Sequence, residues 1–167
     1  MVMRCGERKA VFADIFDVSV SIWGGVKLMV LSSYIFISGS SKDAHLINLI
    51  EYNFQENRIN KEPFFASRFI SGTNPADKII EAFKKSRALF MIITPNVIND
   101  TNTLNWVLFE TGLAKGRGLP VYGWKANSVT KVPQPIEYVT DYAVFEEDSE
   151  EDILRIIGVM MELALKL

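Results

Sequence analysis

One cysteine, Cys5, and one histidine, His45, are all that the 167 residues contain of either type. A single thiol excludes an internal disulfide, and one histidine with one cysteine excludes a Cys/His zinc site. No metal site is expected. His45 also has no second residue for a nucleophilic dyad, so it is expected to face solvent or to cap a helix. Positive charge is not in surplus either: 18 Lys and Arg stand against 20 Asp and Glu, for a net charge of −2. A nucleic-acid partner held mainly through phosphates needs a basic excess, so none is expected. No run reaches the ~18 uninterrupted apolar residues of a membrane span. The apolar patches between Val18 and Leu31 are broken by Gly24, Gly25 and Lys27. A signal peptide is likewise interrupted by Glu7, Asp14 and Asp17. Neither Gly24-Gly25 nor Gly116-Arg117-Gly118 has the spacing of a phosphate-binding glycine loop, and no G-x-S-x-G elbow occurs.

What remains is an ordinary globular composition. Hydrophobic residues make up 49% and charged residues 23%, which excludes wholesale disorder. A chain of this length forms about one domain and buries roughly two-thirds of its unfolded surface. With no disulfide framework, a reducing, cytoplasmic location is expected. Residues 1–33 are expected to be an extension and 34–167 the domain. The alternation of Val18, Val20 and Ile22 is compatible with a strand, but a poorly ordered extension is the expectation. Trp23-Gly24-Gly25-Val26 must be encoded by a G-rich run that resembles a ribosome-binding site, with Met29 closely following. Residues 1–28 are therefore suspect, with Met29 as an alternative start. The intact mass of the native protein distinguishes the two starts.

From Tyr34 onward strands alternate with helices. Tyr34 to Ser38 is a short aromatic and β-branched run ending at Gly39, and a helix follows to about Asn57 through Ile47, Ile50 and Phe54. Phe64 to Ala66 is a short strand, and Ser67 to Asn74 a loop. Asn74, Pro75 and Asp77 open the next helix as cap, first-turn proline and first-turn acid. Ala88 to Thr94 is apolar almost throughout and belongs at the centre of a parallel sheet. A helix starts at Asn102 or Thr103 and ends at Gly116 or Gly118. Leu119 to Tyr122 is a strand, Asn127 to Thr140 a loop, and Tyr142 to Phe145 the last strand. Ser149 with Asp152 caps a final helix whose buried stripe is Ile153, Ile156, Ile157, Met160, Leu163 and Leu167. Five such strands give a flavodoxin-like, doubly wound α/β sheet. Ligands in this architecture bind beyond the carboxyl ends of the strands, where Ser38 to Asp43, Ser67 to Asn74, Pro95 to Thr103 and Gly123 to Lys125 lie.

The acidic run from Glu146 to Asp152 sits at a helix start, where negative charge is favoured, and needs no further role. Asn99-Asp100-Thr101 is a glycosylation sequon with nothing to place it in a secretory compartment. Trp106 and Glu110 are four apart and share one side of their helix. Glu110 stands among Leu108, Phe109 and Leu113. It is either a surface glutamate at the edge of an apolar stripe or a partly desolvated carboxylate in the cleft beside an aromatic wall.

Several segments together resemble one family. Phe36-Ile37-Ser38-Gly39-Ser40-Ser41-Lys42-Asp43 resembles the first-strand motif of TIR domains. Asn74 to Ser86 and Ala88 to Asn96 are similar to the second helix and central strand of that family. Trp106-Val107-Leu108-Phe109-Glu110 matches the W-x-x-x-E motif of its bacterial members, and Leu119-Pro120-Val121 the strand that follows. The resemblance implies self-association or pairing with another TIR-containing protein. It also implies cleavage or cyclisation of NAD at the nicotinamide–ribose bond, often in prokaryotic antiphage signalling. NAD would be a substrate, not a cofactor. On this resemblance Glu110 is the catalytic glutamate and Trp106 the aromatic beside it. Ser67, Phe69, Gly72 and Asn74 belong to the BB loop, which covers the site and mediates assembly. Trp106, or Phe36 near the first loop, could offer a ring face to nicotinamide. Ser38, Gly39, Ser40 and Asp43 form the first loop, whose hydroxyls and amides would hold phosphate, with Lys42 and Arg68 as the nearest cations.

Gly39 departs from the family, which often has histidine there, and the arginines of some NAD-cleaving relatives are absent. Two other functions stay open. One is a non-catalytic TIR interaction module. The other is a nucleoside 2-deoxyribosyltransferase, whose E-x-G-x-A motif matches Glu110, Gly112 and Ala114, although the Asp-Ser-Gly-Thr usual ahead of it is missing.

Overall fold

The computed structural model describes residues 18–23, 26–31, 33–65, 75–137 and 141–167. The chain divides into two compact units, Met1–Ser32 and Ser33–Leu167. In the first, β1 (Val18–Trp23) pairs antiparallel with β2 (Val26–Leu31). This corrects the expectation of an irregular extension. In sequence, two runs containing β-branched residues and separated by a glycine pair match the shortest hairpin pattern.

The second unit holds a five-stranded parallel sheet. Its strands are β3 (Ser33–Ser38), β4 (Lys61–Phe65), β5 (Ser86–Ile93), β6 (Val121–Ala126) and β7 (Asp141–Phe145), in the order β4-β3-β5-β6-β7. This is the flavodoxin-like, doubly wound α/β architecture. The helices are α1 (Ala44–Glu56), α2 (Pro75–Lys85), the single turn α3 (Pro95–Ile98), α4 (Thr101–Gly116), α5 (Gln134–Glu137) and α6 (Glu150–Lys166). Right-handed crossovers decide where they lie. The chain moves outward from β3 to β4, then back past β3 to β5, so α1 and α2 fall on opposite faces. From β5 to β7 it continues in one direction, which keeps α4 on the face of α2. In accord, α2 packs with α4 and α1 with α6.

The central strand is the one with no polar face. Ala88 to Ile93 are all buried, as a strand covered by helices on both sides must be. Phe36 on β3 is completely buried and stacks on Phe83 of α2, with centroids 4.1 Å apart and planes at 17°. Phe64, its register partner on β4, meets the same ring at 5.2 Å with the planes tilted by 39°. The strand containing Phe64 starts earlier than expected, at Lys61. It runs through Pro63, which an edge strand tolerates. Pro120 stays outside β6, which runs on to Ala126, and the loop before β7 contains the short α5. Ser149 caps α6 by accepting from Asp152 N–H at 3.2 Å, as expected. Ala164 is buried on its stripe, while Leu163 and Leu167 are only partly so.

Among the described residues no helix is long and apolar enough to cross a membrane.

Candidate functional site

The strand order places a reversal between β3 and β5. The connection leaving β3 runs to one side of the sheet and that leaving β5 to the other, so a crevice opens beyond their carboxyl ends. β3 ends at Ser38 and β5 at Ile93. The segments that diverge from that point, residues 39–43 and 94–100, are joined by polar contacts. Asp43 accepts from Thr94 Oγ1 at 2.6 Å and from Asn96 Nδ2 at 2.5 Å. Lys42 Nζ reaches Asp100 Oδ2 at 2.9 Å. Asp100 also accepts from the N–H groups of Asn102 and Thr103, at 3.1 and 3.2 Å, and so is the N-cap of α4. The Lys42 hydrogen bond, followed by that of Thr103, holds the Asp100 carboxyl below its ordinary range.

α4 begins at Thr101, one or two residues earlier than the sequence pattern indicated, because Asp100 caps it. Val107, Glu110, Thr111 and Ala114 form its buried side, at spacings of three and four. Thr111 Oγ1 donates to Val107 O at 2.7 Å and touches Met91 Sδ at 3.7 Å. Met91 is the register partner of Ser38. One turn of α4 therefore lies against the ends of β5 and β3, and it carries Glu110 to Ser38.

The Ser38 hydroxyl donates to Glu110 Oε2, and both residues are buried, at 1% and 3% exposure. Burial pushes the Glu110 carboxyl up to about 7, with the Ser38 hydrogen bond opposing the rise. Removal from water disfavours the ion, and a donor to the ion favours it. Of the two locations open to Glu110, the structure chooses the desolvated one. A ligand reaches this carboxylate only after neighbouring side chains move aside.

Other expected site residues are distributed differently. Phe36 cannot offer a ring face to a ligand, since its side chain is completely buried in the core. Glu110 is buried, whereas Trp106, four residues earlier on α4, is open to solvent. Trp106 is 43% exposed and meets Phe109, itself 40% exposed, edge to face at 5.7 Å. Neighbouring positions on α4 thus have opposite fates, the carboxylate inside and the indole outside. Ser38 and Ser40 each have a partner within the domain. Ser38 is committed to Glu110, and the buried Ser40 accepts from Lys42 N–H at 3.2 Å, capping the single 3-10 turn Ser41–Asp43. Asp43 lies at the N-cap of α1, where its negative charge opposes a phosphate. Lys42 is exposed and paired with Asp100. A Cβ on Gly39 would stand 3.5 Å from Ile92 Cβ and 3.6 Å from Ile92 O, ordinary contact distances. Ser67, Arg68, Phe69, Gly72 and Asn74 lie outside the described residues.

Thr94, Asn96 and Asp100 were not singled out for this crevice. For Asp100 a signal existed, because an aspartate immediately ahead of a helical run is a preferred N-cap. Thr94 and Asn96 carried no such local signal. Among the described residues no three His, Cys, Asp or Glu side chains cluster so as to hold a metal ion.

No protein-family model matches this chain, and no curated protein matches it in sequence. Solved structures do match. The crystal structure of the TIR domain of the Toll-related receptor TRR-2 from Hydra magnipapillata is similar over 80% of this chain and 98% of that one. The TM-score is 0.56 and the identity 15%. At that identity the similarity concerns the fold, and the fold of this chain is TIR-like.

Proposed function

We propose that this TIR-like domain cleaves or cyclises NAD, or a related nucleotide, at the nicotinamide–ribose bond, with Glu110 as the catalytic carboxylate. One observation carries the reading: α4 delivers a buried glutamate to the carboxyl end of β3, at the reversal point of the sheet. Burying a carboxylate costs free energy that a purely structural position would avoid with an apolar residue. Carboxyl groups displaced in this way cluster at functional sites.

The chemistry suits a single acid group. Glycoside hydrolases usually need two, because an alkoxide leaving group has to be protonated. Nicotinamide departs as a neutral pyridine and requires no general acid. The electron pair of the C–N bond leaves with the ring, and positive charge develops on the ribose. An ionised Glu110 stabilises that charge most strongly where water is excluded. The same carboxylate can accept from ribose hydroxyls and orient the sugar. Trp106, half-exposed on the same helix, is available to a planar ring. Water or a second nucleophile within the substrate then completes hydrolysis or cyclisation. A setting in prokaryotic defence rests on the sequence resemblance alone.

The test is nicotinamide release from NAD at high protein concentration, comparing wild type with Glu110→Gln. Release by the wild type and none by the variant is the expected result. Equal release by both overturns the role of Glu110.

A second reading has its own support. The Trp106–Phe109 pair leaves two large aromatic side chains open to solvent on one helix, as an interaction module would use. Self-association, or pairing with another TIR-containing protein, is compatible with either reading. No release at any protein concentration would favour the interaction module.

A further inference from the structure

We propose that Ser38 is a positioning residue for Glu110, its hydroxyl holding the carboxylate at the carboxyl end of β3. The inference rests on the catalytic reading of Glu110 and adds a second residue to it. Both side chains are buried, they come from elements far apart in the chain, and the hydroxyl is the donor. A hydrogen bond to an ion is about twice as strong as one between neutral groups, so Ser38 favours the ionised carboxylate over the neutral acid. A serine is also able to accept, so it keeps a bond to the carboxyl in either protonation state. It thereby fixes the side chain in one place throughout a titration.

Among the described residues, no other side chain is recorded as a donor to Glu110. The rise of the Glu110 carboxyl has two causes, burial and the opposing Ser38 bond, with no charged group among them. Lys42 is paired with Asp100, and Asp43 is held by Thr94 and Asn96. On α2, Glu81 and Lys84 pair with each other. Lys125 on β6 donates to Val129 O at 2.6 Å. Arg87 on β5 and Glu137 on α5 are exposed. In the absence of Ser38 the ion would have no described donor.

The experiment follows the carboxyl carbon of Glu110 by NMR across pH, in wild type, Ser38→Ala and Ser38→Thr, with Glu110→Gln identifying the resonance. Nicotinamide release is measured on the same samples. Loss of the donor is expected to raise the midpoint in Ser38→Ala by about 1 to 2 pH units. If the midpoint starts at about 7, release at neutral pH falls about 5- to 50-fold and recovers in alkali. Threonine retains the hydroxyl and is expected to restore both midpoint and rate. If Ser38→Ala does not fold, Ser38→Cys, nearly the same size but a weak donor, is expected to raise the midpoint in the same direction. A folded variant without the hydroxyl whose midpoint matches wild type overturns the proposal, even if it is less stable. If wild type releases no nicotinamide while the midpoint still moves, the hold of Ser38 on Glu110 stands and the catalytic reading falls.

Discussion

Replacing Glu110 by glutamine should make the protein more stable in alkali relative to wild type than it does in acid. In the unfolded chain the Glu110 carboxyl titrates near its ordinary 4.5, and in the folded protein burial raises it to about 7. Between those values the folded state holds a proton that the unfolded state has lost. Stability therefore falls as pH rises through this window, and the loss is complete above the folded value. A rise from 4.5 to about 7, at about 1.4 kcal/mol per unit, corresponds to about 3 kcal/mol in total. Most of it, about 2.5 kcal/mol, should appear between pH 5 and pH 8. Glutamine has nearly the same shape, still offers an oxygen to the Ser38 hydroxyl, and never ionises. The difference, wild type minus Glu110→Gln, cancels every other titrating group and isolates this one. Urea unfolding followed by tryptophan fluorescence at several pH values measures it, provided the denaturant slope is the same in both proteins. The difference should decrease with pH by the amount given. A flat difference would mean that the carboxyl titrates alike in both states, and the case for a desolvated Glu110 would be lost.

Further outcomes are expected. Nicotinamide release should climb with pH through about 7 and level off above it, because the ionised carboxylate is the working form; a rate that declines through that window excludes this role. Phe36→Ala should cost ~3–5 kcal/mol in a urea melt, since its ring is completely buried. Trp106→Ala should cost only about 1 kcal/mol, the edge-to-face contact with Phe109 being its described ring partner; equal losses for the two would refute the contrast. Asp43→Ala should lose about 2 kcal/mol with the bonds from Thr94 and Asn96, and a stability within error of wild type would show that these ties carry nothing. Asp100→Ala removes the cap of α4, so the amide hydrogens of Asn102 and Thr103 should exchange faster while those of α6 do not change; uniform exchange would argue against a local cap.

Local patterns carried the sheet and failed at its margins, for reasons visible in particular residues. β5 was legible because six successive apolar residues, too few for a typical helix and closed by Pro95, suit a strand covered on both faces, and α6 because Ser149 and Asp152 mark its start. β4 was read late because its first two residues, Lys61 and Glu62, are polar, as an edge position permits. The first strand of the N-terminal hairpin was written in Val18, Val20 and Ile22, but so short an alternation does not by itself separate a strand from an extension. Glu110 was singled out by its spacing from Trp106, yet its burial could not be read from α4. Leu104, Val107, Leu108, Phe109 and Leu113 surround that helix with apolar side chains, so no periodicity says which side faces inward. Only the ends of β3 and β5 decide it, and they put the carboxylate inside and the indole outside.

The polar contacts that define the crevice are long-range. Ser38 and Glu110 are 72 residues apart, and Asp43 and Thr94 are 51 apart. Each serine, threonine or aspartate at these positions looks locally like a cap or a loop residue, and Ser40 and Asp100 do act as caps. Ser38 differs from Ser40, two residues away, only in what the sheet order brings beside it. The chemistry of the site therefore depends on topology. The reversal between β3 and β5 creates the crevice, α4 closes one side of it, and an acid that would be unremarkable on an exposed helix becomes a desolvated group with one donor. A change that leaves every side chain in place but shifts α4 by one turn would remove the site while preserving the fold. For this reason a TIR-like fold by itself does not carry the activity, and the pairing of Ser38 with Glu110 is the feature to test.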